Sequence, residues 1–255
     1  AAEESRIALA LDPNRLETRR ARAYILEATG SEGNNYELAL QQYQSAIEVH
    51  PNLPILHIEL GRTYRVLQVY DKAIESFTRA NTLNPSDPEP DLLISRTYAT
   101  IGEFAKALQY AEQAVKDNPL DAYLHGNYGV MLYRNLLWLE AVPELRLAVK
   151  GGTLEDGFEV TGIPLVNEPR VTEYYFTYGL ALARTNECGE ALQISQMLHA
   201  RVPSDENAIF AADEMVRICQ ENLDNPVVET ATTEAAGETP EAETPTSTAA
   251  PTSEE

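Results

Sequence analysis

Apolar and small residues recur along this chain with a period of 34 residues, with polar residues between them. Leu60-Gly61, Tyr64, Tyr70, Ala73, Phe77, Ala80 and Pro85 are followed at that spacing by Ile94-Ser95, Tyr98, Phe104, Ala107, Ala111, Ala114 and Pro119. A third copy reads Tyr128-Gly129, Leu132, Trp138, Ala141, Leu145 and Ala148. A later one reads Tyr178-Gly179, Leu182, Cys188, Ala191, Ser195, Leu198 and Pro203. Tyr36, Ala39, Tyr43, Ala46 and Pro51 supply the second half of an upstream copy, preceded by a helical stretch from about Arg15 to Ala28. Each copy predicts a helix–turn–helix in which small residues allow two helices to cross closely and large apolar residues fill the space beside them. Gly61, Ser95, Gly129 and Gly179 are expected to face Ala73, Ala107, Ala141 and Ala191. A terminal proline stops the second helix, because it lacks an N–H and clashes with the preceding turn. The dipeptides Asp12-Pro13, His50-Pro51, Asn84-Pro85 and Asn118-Pro119 mark such ends, and repeat breaks fall near residues 13, 51, 85, 119, 153 and 203. One helix pair has too little core alone, so the copies must stack into a solenoid over residues 1–222. A last amphipathic helix, 205–222, carries Ile209, Phe210, Met215, Val216 and Ile218 on one side and reads as the cap.

This spacing resembles the tetratricopeptide repeat family, over roughly residues 1–222. The resemblance implies an all-α, right-handed solenoid of antiparallel helix pairs whose first helices line a concave groove used for binding. At the position where the family places a first-helix tryptophan this chain has His57, Asp91, His125 and Tyr175, so both histidines are expected to be packing residues. The family's clamp for a C-terminal carboxylate is not reproduced: Ile58 and Leu92 stand where its lysine belongs, and chaperone co-factor activity does not carry over. Ala1, Ser5, Ala8 and Pro13 match second-helix positions, so the chain is expected to begin in mid-repeat, with its bare end continued upstream or covered by another molecule.

Two segments break the period. Thr29-Gly30-Ser31-Glu32-Gly33-Asn34-Asn35 enlarges a turn and reads as a solvent loop. Residues 151–170, GGTLEDGFEVTGIPLVNEPR, suit an irregular loop or short hairpin, either a tolerated insertion or an interaction loop. Beyond residue 222 the composition changes: residues 223–255 hold eight acids, four prolines and no Lys or Arg, a composition expected to stay disordered. Such acidic Thr/Pro-rich tails look like the spacers of exported bacterial proteins, and an extracytoplasmic or cell-surface location is expected, with the cytoplasm as the alternative.

Charge and chemistry narrow the function. Forty acids against 19 basic residues give −21, which argues against nucleic acid or anionic lipid as partner. No apolar run is long enough to span a bilayer. The sequence carries no phosphate loop, His-Glu-x-x-His or nucleophile elbow, and its two cysteines and four scattered histidines do not make a zinc site, so no enzyme activity, cofactor or metal is expected. Cys188 and Cys219 either form a disulfide that pins the cap or remain two buried thiols. The tail accounts for −8, leaving −13 on the body, within which arginines gather on groove-side positions: Arg22, Arg62 and Arg96, with Arg65, Arg134 and Arg184 beside them. Guanidinium groups bind carboxylates bidentately, so these arginines, with Tyr123 and Tyr133, are the candidate peptide-binding residues; the competing reading pairs them with neighbouring acids such as Glu59 and Glu89. The leading expectation is a non-catalytic scaffold for an extended or acidic protein segment. The alternatives are a self-assembling, filament- or surface-layer-like exported protein and, remotely, a regulatory fragment of a larger membrane protein or enzyme.

Overall fold

The computed structural model describes residues 2–30 and 35–224; the remainder of the loop at 31–34 and the acidic tail expected at 223–255 lie outside them, apart from Leu223 and Asp224. Among the described residues are twelve helices and one hairpin. They are α1 (Ala2–Leu11), α2 (Leu16–Ala28), α3 (Asn35–Val49), α4 (Pro54–Val66), α5 (Tyr70–Leu83), α6 (Pro88–Thr100), α7 (Phe104–Asp117), α8 (Ala122–Arg134), α9 (Trp138–Lys150), β1 (Gly151–Thr153), β2 (Glu159–Thr161), α10 (Pro169–Arg184), α11 (Cys188–Arg201) and α12 (Glu206–Asp224). The chain is an all-α helical-repeat solenoid: successive helices pack as neighbours, and the first helix α10 also touches the first helices α8 and α12.

Local chemistry sets the helix boundaries. Asp87 and Asp121 accept from the backbone N–H groups of Glu89 and Tyr123, at 3.0 and 2.8 Å, which caps α6 and α8. Pro54, Pro88 and Pro169 stand in first turns, where their missing N–H leaves no bond unmade. Inside each repeat the turn needs one left-handed residue, filled by Gln68, Gly102, Leu136 and Asn186.

The close crossings differ from expectation by one helical turn. A Cβ on Gly61 would lie 2.5 Å from the Phe77 ring and one on Gly129 2.5 Å from Leu145 Cγ, so the glycines receive the large residue four positions beyond the facing alanine. Gly179 differs again: a Cβ there would lie 2.5 Å from Met215 Sδ of the cap helix α12 and 3.0 Å from Ile194, three positions beyond Ala191. Ala73, Ala107, Ala141 and Ala191 are fully buried beside these contacts. The core forms two clusters. One spans α2 to α6 around Tyr43, Ile58, Phe77 and Ile94, the other α7 to α12 around Leu145, Tyr174, Tyr178, Leu198 and Met215, and Tyr98 packs against both.

The segment 151–170 is a built element. β1 and β2 pair antiparallel in the register Gly151↔Thr161, and Val160, Ile163 and Leu165 join the C-terminal core. Tyr175 Oη donates to the carbonyl of Ile163 at 2.8 Å, and the Ile163 N–H donates to the carbonyl of Ala148 at 2.8 Å. The segment delivers the chain into an α10 of 16 residues, against 13 for α4, α6 and α8. With Gly179 and Gly129 in register, the excess lies at the N-terminal end of α10, an extension of about 4.5 Å. Cys188 and Cys219 are joined in a disulfide, Cα–Cα 5.5 Å, which ties the start of α11 to the cap helix. In α12 the buried side is Ala208, Ala211, Ala212, Met215, Ile218 and Cys219; Phe210 and Val216, expected on that side, are exposed. Small residues suffice there because α12 lies close against α10 and α11.

Candidate ligand groove

Four first helices build one cavity of about 360 Å³. Arg65 comes from α4, Arg96, Ala99 and Thr100 from α6, Asn127, Val130, Met131 and Arg134 from α8, and Arg170, Glu173 and Tyr174 from α10. Apolar floor residues and charged walls on one face suit a polar, extended ligand and not a small apolar one.

Along this face most arginines are already neutralised. Arg20 on α2 is held by Glu59 on α4, with Nε–Oε2 3.0 Å; Arg62 pairs with Glu89; Arg134 lies 3.6 Å from Glu173; Arg184 lies 3.8 Å from Glu214. Each pair links one first helix to the next. The ladder fails at one step. The spacing from Arg62 to Glu89, applied to Arg96, leads to Tyr123, so no acid waits there. Arg96 instead donates to Asn127 Oδ1 and to the Tyr174 hydroxyl, both at 3.4 Å. Neither partner carries a negative charge.

Among the described residues Arg65, Arg96 and Arg170 make no ion pair, although all three line the cavity. Burial pulls the Arg96 guanidinium below its usual range; the Tyr174 hydroxyl opposes this, and the like charges of Arg170 and Arg65 reinforce it. Arg65 is lowered by burial first and by Arg170 and Arg62 next. Burial pushes the Tyr174 hydroxyl up to about 12, so it stays protonated and donates to the Tyr123 carbonyl at 3.1 Å. Gly126 leaves the room: a Cβ there would lie 2.5 Å from the Tyr174 ring. The three cations thus converge on a partly desolvated space whose lining acid, Glu173, is engaged by Arg134, so that a carboxylate entering it gains most.

The candidate residues divide accordingly. Arg65 and Arg96 meet in the cavity, and Arg134 forms its wall while engaged with Glu173 and stacked 5.8 Å from the Phe104 ring. Arg62 and Arg184 are in the ladder, and Arg184 also lies over Trp138 at 5.5 Å. Arg22, on α2, donates to Ser5 Oγ at 3.0 Å, away from the cavity. Tyr123 is exposed and edge-on to Tyr174, with ring centroids 6.3 Å apart, whereas Tyr133 packs half-buried against the C-terminal core. Arg170 is a residue that sequence reasoning missed. It is the last residue of the segment 151–170 and belongs to the added turn of α10, so the 34-residue register does not predict its place. Among the described residues no group of three or more His, Cys, Asp or Glu is placed to hold a metal ion, and no helix is long and apolar enough to cross a membrane.

A tetratricopeptide repeat model matches residues 31–88 and 92–153. The sequence matches none of the curated proteins compared with it. Among solved structures, the pilF protein of Pseudomonas aeruginosa is similar at TM-score 0.64 and 17% identity over 84% of this chain and 86% of that one. YrrB, described as a tetratricopeptide protein with an unusual peptide-binding site, gives 0.56 and 18% over 84% of this chain and all of that one. TTC0263, a thermophilic tetratricopeptide protein of Thermus thermophilus, gives 0.52 and 19% over 80% of this chain and all of that one. At these identities the likeness is one of fold. The chain thus carries tetratricopeptide repeats over residues 31–88 and 92–153, within an all-α solenoid of stacked helix pairs.

Proposed function

We propose that this chain is a non-catalytic scaffold that holds an extended acidic segment of a partner protein along the face of its first helices. The tetratricopeptide fold is that of a protein-interaction scaffold, and its members are generally non-catalytic. The observation that carries the reading is the meeting of Arg65, Arg96 and Arg170 on one cavity without an acid of their own. A carboxylate entering there supplies the missing charge and two acceptor oxygens for each planar guanidinium. YrrB's described peptide-binding site lends support to a peptide as the ligand class. Reversing charge in the Arg65→Glu/Arg96→Glu double variant is expected to lower affinity for an acidic probe peptide by roughly a hundredfold, measured by fluorescence anisotropy at low salt. Unchanged affinity in a folded variant would defeat the reading.

The same chain is proposed to work outside the cytoplasm, where a bond between Cys188 and Cys219 persists. Lysis of expressing cells directly into an alkylating agent is expected to leave both sulfurs unlabelled until reductant is added. Two labelled thiols without reductant would overturn the assignment.

A further inference from the structure

The cation-rich cavity has a neighbour. A second space of about 480 Å³ is lined by Pro169, Phe176 and Leu180 of α10 and by Phe210 and Ala211 of α12, and it shares Arg134 and Glu173 with the first. The Arg134–Glu173 pair, at 3.6 Å, is therefore a partition between two halves of one groove. Phe210 is 74% exposed at this wall, with Phe176 and Leu180 half-buried beside it. Large apolar side chains left in water at one spot mark a contact surface. The far rim carries the opposite charge to the arginine end: Asp205, which caps Ala208 N at 3.0 Å, and Glu214, which is already shared between Arg184 and Arg217. A ligand carboxylate finds no unpaired cation on that rim and gains more on the other side of the partition.

We infer that the groove selects an acidic segment that also carries a bulky apolar side chain, its carboxylate among Arg65, Arg96 and Arg170 and its apolar group against Phe176, Leu180 and Phe210. This rests on the groove reading above and adds composition and polarity to it. It also sets the acidic tail aside as the full occupant. Residues 225–255 of this chain offer seven glutamates but no apolar side chain larger than Val227 and Val228, so they match the cationic half alone. The partner segment must contain both features close together.

The test uses the full chain and labelled Ser/Gly peptides with a Glu-Glu pair, in one series with Phe at successive distances from the pair and in a second with Ala in its place. At the matching distance the Phe peptide is expected to bind roughly tenfold tighter or better than its Ala counterpart. Phe210→Ser, at an exposed site where folding is not at stake, is expected to bring the Phe peptide down to the Ala level and leave the Ala peptide unchanged. Equal affinities for both series at every distance, with Arg65→Glu/Arg96→Glu still abolishing binding, would overturn the apolar half and leave the acidic groove standing. Loss of the Phe advantage when the seven tail glutamates are retained, but its return when they are changed to Gln, would name the tail as occupant and overturn the inference as well.

Discussion

At the scale of single residues, one position recurs with different chemistry. His57 Nε2 and His125 Nε2 each meet the carbonyl of the proline six residues earlier, Pro51 at 3.2 Å and Pro119 at 2.8 Å, and Tyr175 reaches the carbonyls of Ile163 and Val149. These side chains fasten a first helix to the segment that enters it. Asp91, at the same position of its repeat, is used differently. It is 1% exposed, accepts from Asn81 Nδ2 at 2.8 Å and leaves Oδ2 without a partner, as does Asp117 nearby. Burial, and then the nearby charge of Asp117, push its carboxyl up to about 6 from the ordinary 3.8. The native state therefore holds this proton across a window in which the unfolded chain has released it. Stability from this site is present below that window and falls as pH rises through it. Asp91→Asn, which keeps an oxygen for Asn81, is expected to leave Tm unchanged near about pH 4 and to add on the order of 2 kcal/mol near about pH 7.5. Calorimetry on both proteins decides it, and parallel Tm curves would dismiss the proton.

At the scale of elements, the helix crossings depend on absent side chains. Gly129→Ala places a methyl 2.5 Å from Leu145 Cγ and 3.1 Å from the Leu145 backbone nitrogen, so α8 and α9 must part. The expected loss is roughly 1–3 kcal/mol in chemical denaturation. Gly189→Ala meets nothing within 4 Å in α11 and is expected to be neutral or stabilising by about 0.5–1 kcal/mol. Equal effects of the two substitutions would show that the crossing is not what Gly129 serves. The helix pairs themselves are legible because period, small residues and terminal prolines are properties of local sequence. The partner of each glycine is not, since one turn of helix separates the facing alanine from the residue that fills the gap. For the site, the Arg62-to-Glu89 spacing contains the signal that Arg96 lacks an acid, once that pair is known to be a rung. Arg170 cannot be read off, because its place depends on how far the hairpin extends α10. Hydrophobicity puts Phe210 on the buried side, but it does not say which side of a cap helix the neighbouring helices cover.

At the scale of the molecule, the charge balance resolves into regions. The body's −13 coexists with a cavity in which Arg65, Arg96 and Arg170 have no ion-pair partner among the described residues, because the acids near that face are committed to rungs between consecutive first helices. The two hydrophobic clusters meet at Tyr98, which stacks on Tyr110 with centroids 5.7 Å apart. Between α6 and α8, where that junction lies, the ionic ladder also misses its rung. The ligand cavity spans this junction, with Arg65 on the side of the first cluster and Tyr174 on the side of the second. An anion held between Arg65 or Arg96 on one side and Arg170 on the other would fasten helices of both clusters to one another, so occupancy would register as a shared gain in the stability of the two halves.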